Sequence, residues 1–481
     1  MKSLPTLAKP LLISFAILII LSGISAFYFQ NIIILLIPLL SAFGLYCFFD
    51  YQIAYYVLIF FLPLSKEFPI IGNSNLSLPA EGLVLVLSLI YIISLLFQKN
   101  YDLRLLKDPM VIILLLLYCW AIFEYPFSID KLKTLKYIIA KSVYYLVFLF
   151  LTYTIIQSKD DLKKFIYVYT AGLFLGVLFT IILHAIDGFS FESINYISSI
   201  IFVNHVYYAT VIGIGIPLIW FLLKTIPKYA IKQSSYLKLI LVIFLFALIT
   251  SYTRGSWLAL IVCIIFYKIM NFKKVTLTIS FTVIVIAIFV GYLFDNDRYL
   301  NYASDYTTTI FHEGDIEGHL AATYSMKDVS GMERIYRWVA GANMVKEKPI
   351  MGSGPGTFYP EYKKFAIDRF RTYVSDNPEK STTHNNFLLF LTEQGFVGFF
   401  LFTTLVIMVF IRGSKIYNET SDYDTKQLTA GFYLAFTSIV VCMIFSDFTE
   451  TDKVGSFFLL SIAILAKINQ WNNEGETKKS L

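Results

Sequence analysis

Three polar stretches stand out in a very apolar chain: Thr253-Arg254-Gly255-Ser256-Trp257, Arg334-Ile335-Tyr336-Arg337-Trp338 and Ser381-Thr382-Thr383-His384-Asn385-Asn386. Arginine presents a planar fork of donors that matches phosphate oxygens, and it stays charged at any working pH. Histidine in its neutral state takes up a proton near pH 7. Each stretch also has a plainer reading. Arg254 at a membrane boundary snorkels to headgroups. Two arginines on a helix face are solvated or ion-paired. A histidine ahead of a long apolar helix serves as a polar cap. Together, however, two or three arginines would neutralise a diphosphate leaving group while one neutral His384 deprotonates an attacking hydroxyl. Arg254, Arg334 and His384 are thus the candidate catalytic residues, and Arg337, Trp338 and Asn385 are candidates for binding substrate or orienting the base. That is a set for glycosyl transfer from a polyprenyl-diphosphate sugar with no metal, the arginines taking a metal's part at the diphosphate.

The elements that must position these residues are membrane helices. Of 481 residues, 57% are hydrophobic and only 15% charged, against roughly a quarter charged in a soluble domain. The apolar residues fall in long blocks near the length of about 20 that crosses a bilayer. Fourteen candidate spans lie near 11–29, 32–49, 53–64, 80–97, 110–123, 134–156, 162–186, 206–223, 237–252, 256–270, 276–294, 384–411, 428–446 and 454–470. The third is short and ends in Pro63, so it reads equally as a re-entrant segment. The expected fold is an all-α polytopic membrane protein with about 12–14 transmembrane helices. Lys2, Lys9 and the apolar run after them resemble a signal peptide, but the second block follows so closely that an uncleaved first helix is the preferred reading.

Lys and Arg orient the spans. With the N-terminus inside, the inner segments hold 21 of these residues and the short outer segments seven, as the positive-inside rule requires. Both termini then lie in the cytoplasm, and the three polar stretches lie outside. The chain divides into 1–205, 206–294, the large outer loop 295–383, and 384–481. The loop carries 11 basic and 13 acidic residues, too acidic for a simple membrane-surface arm. Within it, Ser330-Gly331-Met332-Glu333 has capping-box spacing. Arg334, Arg337, Trp338, Gly341 and Val345 then share one helix face, and Pro349 stops the helix. Cys47, Cys119, Cys263 and Cys442 sit in apolar blocks and read as small core residues. His312 and His319, among acidic residues, fit no metal-site spacing. A net charge of +6, spread beside the apolar blocks, points to topology and not to nucleic acid.

The order of motifs resembles the O-antigen ligase/polymerase superfamily over roughly 206–470. These are Thr253 to Ala259, Arg334-x3-Trp338, Pro349 to Phe358, and His384-Asn385-x2-Leu388-x4-Glu393-x-Gly395-x2-Gly398. The resemblance implies a GT-C-like membrane fold and an undecaprenyl-diphosphate glycan donor bound at the periplasmic face of the bacterial inner membrane. It also implies an inverting, metal-independent attack without a cofactor. Arg254 and Arg334 match the family's arginines, and His384 matches its proposed base. Three acceptors fit: lipid A–core for a ligase, the next lipid-linked repeat for a polymerase, and a secreted protein for an O-oligosaccharyltransferase. The ligase is preferred on the motif set. A lipid-linked glycan transporter is the alternative of another class, but transporters place polar groups near the midplane, and these lie at the boundary.

Overall fold

The computed structural model describes residues 14, 17–25, 38, 50–69, 75–97, 102–296, 298, 329–367, 375 and 382–479. The structure is almost entirely helical. In chain order it contains α1 (Tyr51–Phe61), a hairpin of β1 (Lys66–Pro69) and β2 (Asn75–Leu78), α2 (Ala80–Phe97) and α3 (Pro109–Glu124). Next come α4 (Lys131–Ile155), α5 (Lys159–Ile186), α6 (Phe191–Ser198), α7 (His205–Leu223), α8 (Ile231–Thr250), α9 (Arg254–Asn271) and α10 (Val275–Phe294). The loop helix α11 (Val329–Glu347) precedes α12 (Asn386–Glu419), α13 (Tyr423–Met443) and α14 (Asp452–Lys479). Among the described residues, ten helices are long and apolar enough to cross a membrane. This is a multi-pass membrane protein.

Of the fourteen expected spans, the first two fall mostly outside the described residues. The third is α1, only 11 residues long before a 3-10 turn at Leu62–Leu64. The eleventh is α10, whose 20 residues from Val275 to Phe294 carry no charge. The other ten match the ten long helices. His312, His319 and Cys47 lie outside the described residues, while Cys119, Cys263 and Cys442 are free thiols.

Burial separates a centre from a rim. Helices α7, α13 and α14 bury 78%, 94% and 83% of their apolar windows, whereas α2, α8 and α9 bury 28%, 28% and 22%. The first three form the centre, and the others turn Leu, Ile and Phe side chains outward to lipid. In lipid the backbone must satisfy itself, so helix ends are capped or bound. Asp108 accepts from Met110 N at the start of α3 (2.9 Å). Ser158 and Asp161 close a capping box on α5. Asn385 accepts from Leu388 N at the start of α12 (3.0 Å).

One break in a long helix shapes the site. Within α12, Gly395 leaves the helical conformation at φ 62° and ψ −168°. The break frees carbonyls of the preceding turn, and these are met from outside. Thr392 O accepts from Ser353 N (3.0 Å) and Glu393 O from Gly354 N (2.8 Å). Gln394 O accepts from the Trp120 indole (3.0 Å). In return Phe396 N donates to Pro349 O (2.8 Å), and the Glu393 carboxylate accepts from Gly356 N and Phe358 N (both 2.8 Å). Gly352, Gly354 and Gly356 all have positive φ, where other L-residues are strained. The glycine run after α11 and the break in α12 therefore form one interlocked clasp. It fixes the loop helix to a membrane helix. Above it, Tyr336, Val339, Ala340 and Met344 of α11 pack with Phe358, Tyr362 and Leu389 in a small separate core.

Candidate active site

The clasp holds one face of α11 against the chain leading into α12. Trp338 Nε1 donates to Thr383 O (2.9 Å), and a guanidinium nitrogen of Arg337 donates to Thr382 O (3.3 Å). A Cβ on Gly341 would touch Thr392 at 3.0 Å, so the absent side chain is what lets α11 lie this close to α12. Arg337 is buried and also pairs with Glu333, one helical turn back (3.4 Å). Ser375 Oγ donates to the same Glu333 carboxylate. The helix begins at Val329, ahead of Ser330, and Glu333 faces Arg337 and Ser375. The expected capping role for Glu333 thus gives way to an ion pair, because a buried guanidinium needs a counter-charge more than a helix end needs a cap.

His384 sits two residues before α12, not in its first turn. It takes φ 51°, a left-handed conformation that histidine tolerates better than most residues. Its Nδ1 lies 3.7 Å from Asp447 Oδ1, and 31% of the side chain stays exposed, so a substrate can reach the ring. Burial pushes the imidazole pKa down to about 3, and the charges of Arg337 and Arg334 add to that. The ring is neutral at pH 7, the state a general base needs, with burial the larger cause and the two guanidiniums adding to it. Burial raises the Asp447 carboxyl, while the Thr382 hydroxyl bonded to it and the Arg337 charge pull the other way.

The turn after α13 gathers the remaining parts. Asn385 Nδ2 donates to Ile444 O (3.1 Å) while its Oδ1 caps α12. Asn385 thus ties two helix ends together, and its amide is engaged with backbone on both sides. Arg334 Nε points to Phe445 O (3.4 Å). Thr382 Oγ1 donates to Asp447. Asn386 bonds Thr449, and Lys141 from α4 donates to Thr449 O (2.6 Å) and pairs with Glu450 (3.3 Å). Arg254 opens α9 beside this same turn. A Cβ on the next residue, Gly255, would meet the Phe445 ring at 3.4 Å, and Ser256 Oγ lies 3.8 Å from Cys442 Sγ. All six residues singled out from the sequence thus lie around residues 382–385 and 444–447. Among the described residues, no three His, Cys, Asp or Glu side chains converge as a metal site would need.

These positions lie on the segment that the comparisons recognise. Residues 239–403 match the family model for O-antigen ligase. Over this segment the chain is similar to the O-antigen ligase family. The match runs from α8 into α12 and includes Arg254, Arg334, Arg337, Trp338, His384 and Asn385. No curated protein matches the chain. The match supports glycan transfer of the ligase or polymerase type.

Asp447 is the side chain that sequence reasoning missed, and it lies beyond the segment matched to the O-antigen ligase family. A signal was available: Asp447, Glu450 and Asp452 crowd the short turn between the last two spans, on the side expected to carry His384. Carboxylates at a membrane boundary are rare without a partner.

Proposed function

We propose that this protein transfers a glycan from undecaprenyl diphosphate to an acceptor hydroxyl at the periplasmic face of the bacterial inner membrane, most specifically as an O-antigen ligase acting on lipid A–core. The observation that carries this reading is His384, neutral and reachable, flanked by Arg334 and Arg337 and with Nδ1 turned toward Asp447. With Nδ1 on that side, Nε2 is left for the acceptor. The acceptor oxygen attacks the anomeric carbon from the face opposite the diphosphate, and its proton passes to Nε2. The bond from that carbon to the diphosphate oxygen breaks, and the electron pair leaves with the diphosphate. Arg254 and Arg334 take up that charge, the part a metal plays in other transferases, and configuration inverts. The new imidazolium faces Asp447. The Lys and Arg bias supports an outward position for this end of the bundle and cytoplasmic termini.

A base works best with a pKa near the working pH, and about 3 is too low. A bound diphosphate corrects this, because its negative charge offsets the guanidiniums that depress the ring. The acid limb of kcat, which reports the donor complex, should therefore lie at higher pH than the acid limb of kcat/KM for the donor. Initial rates between about pH 4 and 8 should show kcat falling toward the acid end while kcat/KM for the donor stays level, its own limb lying near pH 3. Coincident limbs would remove the coupling between donor and base.

The direct test is purified protein in liposomes with undecaprenyl-diphosphate glycan and lipid A–core, in the presence of EDTA. Glycan on lipid A–core is the expected product. A lengthened glycan on its own carrier would make the protein a polymerase, and glycan on an added secreted protein an oligosaccharyltransferase. Donor carried across the bilayer with no bond made would replace transfer by transport.

A further inference from the structure

A second polar cavity opens at the same end of the bundle. It measures about 220 Å³ and is walled by Ser65, Lys66 and Glu67 at the start of β1, by Ser199 and Ile201 to Val203 ahead of α7, and by the first residues of α14. By the same measure one water needs only about 10–15 Å³, so the space admits a sugar ring. Two basic and two acidic residues line it: Lys66, Lys453, Glu67 and Asp452. Lys453 is buried. Its ammonium donates to Ile201 O (2.8 Å) and lies 4.6 Å from the Phe202 ring centre, which leaves donors over. Asp452 is 8% exposed. Its Oδ1 accepts from Lys453 N (2.8 Å) and the Ser77 hydroxyl of β2 also acts on the carboxyl, while Oδ2 is buried and meets no donor in good hydrogen-bond geometry among the described residues.

A buried carboxylate oxygen without a donor is costly, and this one lines a cavity. The balanced charges disfavour an anion such as a diphosphate. They suit a neutral polyol, whose hydroxyls donate to carboxylates and accept from an ammonium. The cavity is also joined to the candidate active site. Asp452 follows Asp447 across the single turn Phe448–Glu450. The Tyr207 ring packs on Phe448 with centres 5.2 Å apart, and the charges of Asp447, Asp452 and Glu67 all reach its hydroxyl.

We propose that this cavity binds one pyranose ring, with Asp452 and Lys453 taking its hydroxyls, and that the ring belongs to the acceptor glycan. Its assignment to the acceptor rests on the transfer reading above; the binding of a sugar does not. The arginines near His384 suit the donor's diphosphate, and the carboxylate-lined cavity next door suits the uncharged partner.

Two measurements separate these statements. The first is saturation-transfer NMR on the full chain in sugar-free lipid nanodiscs. The probes are methyl glucoside, galactoside, N-acetylglucosaminide and glucuronide. A neutral pyranoside should receive saturation from the protein, and both Asp452→Asn and Ser199→Trp should abolish it. Ser199 is exposed at the cavity mouth, so the tryptophan blocks the space without touching the buried carboxylate. The second is transfer in liposomes. Each variant should raise the acceptor concentration for half-maximal rate by about tenfold or more, as loss of hydrogen bonds to charged groups implies. The donor concentration for half-maximal rate should stay near that of the parent. If no neutral glycoside binds, or if both variants leave binding and acceptor dependence as they were, the cavity is not a sugar site, whatever the transfer assay gives. If a glycoside binds and is displaced by both variants while the parent makes no glycosidic bond, the sugar site stands and the transfer reading fails.

Discussion

His384→Asn should fold and insert like the parent yet transfer glycan at least about a hundredfold more slowly, since a positioned base contributes about 10²–10⁴. Asparagine is the replacement to make because residue 384 holds φ 51°. Asparagine accepts that left-handed conformation, whereas alanine would add roughly 1–2 kcal/mol of backbone strain. With asparagine the lost rate is lost chemistry. The surrounding contacts do not depend on the ring: Trp338 and Arg337 hold the backbone at Thr383 and Thr382, and Asn385 still caps α12. Single-turnover transfer in liposomes, with donor binding measured separately, is the check. A variant that binds donor and transfers at the parent rate would remove His384 from the role of base.

The other large effect is expected at Gly395, away from the chemistry. A Cβ there would lie 2.1 Å from Ile350 O and 2.4 Å from Ile350 C, and both atoms belong to backbone that cannot turn aside. The φ 62°, ψ −168° conformation is one that essentially only glycine adopts. Gly395→Ala must therefore give up the clasp. The carbonyls of Thr392 and Glu393 then lose Ser353 N and Gly354 N, and the Glu393 carboxylate loses Gly356 and Phe358. Strain alone costs about 1–3 kcal/mol, and the broken buried bonds add to it. The variant should melt well below the parent by fluorescence-detected gel filtration and should lose transfer, because α11 and its arginines are no longer fixed over His384. Gly291→Ala on α10, where an added Cβ meets nothing within 4 Å, should leave melting unchanged. If Gly395→Ala melts with the parent, the clasp does not hold the site.

Much of this protein is legible along the chain because its strongest signals are local. Length and hydropathy of a block depend on neighbouring residues alone, and lipid forces each block to satisfy its own backbone. Ten of the expected spans accordingly appear as helices. The loop helix from Val329 to Glu347 and its stop before Pro349 follow from local rules too. Arg254, Arg334 and His384 were singled out by residue type and order. Their common location was reasonable from topology, since each stands at a segment expected on the same side.

Other parts needed the fold. Asp447 is 63 residues from His384, and nothing local says that the turn after α13 meets the turn before α12. The pattern Glu393-x-Gly395 reads as punctuation in a long apolar run. Only the packed structure gives the glycine its meaning, as a break whose freed carbonyls receive the Gly352–Gly356 turn. The neutral state of His384 rests on burial and on two arginines from a different helix, neither of which a local reading shows. The chain alone was enough to set the character and the approximate bounds of ten long membrane helices and to single out the side chains that are candidates for chemistry. Tertiary structure alone decided which of them meet, because a contact between distant segments depends on the order in which helices pack, and no local period records that order.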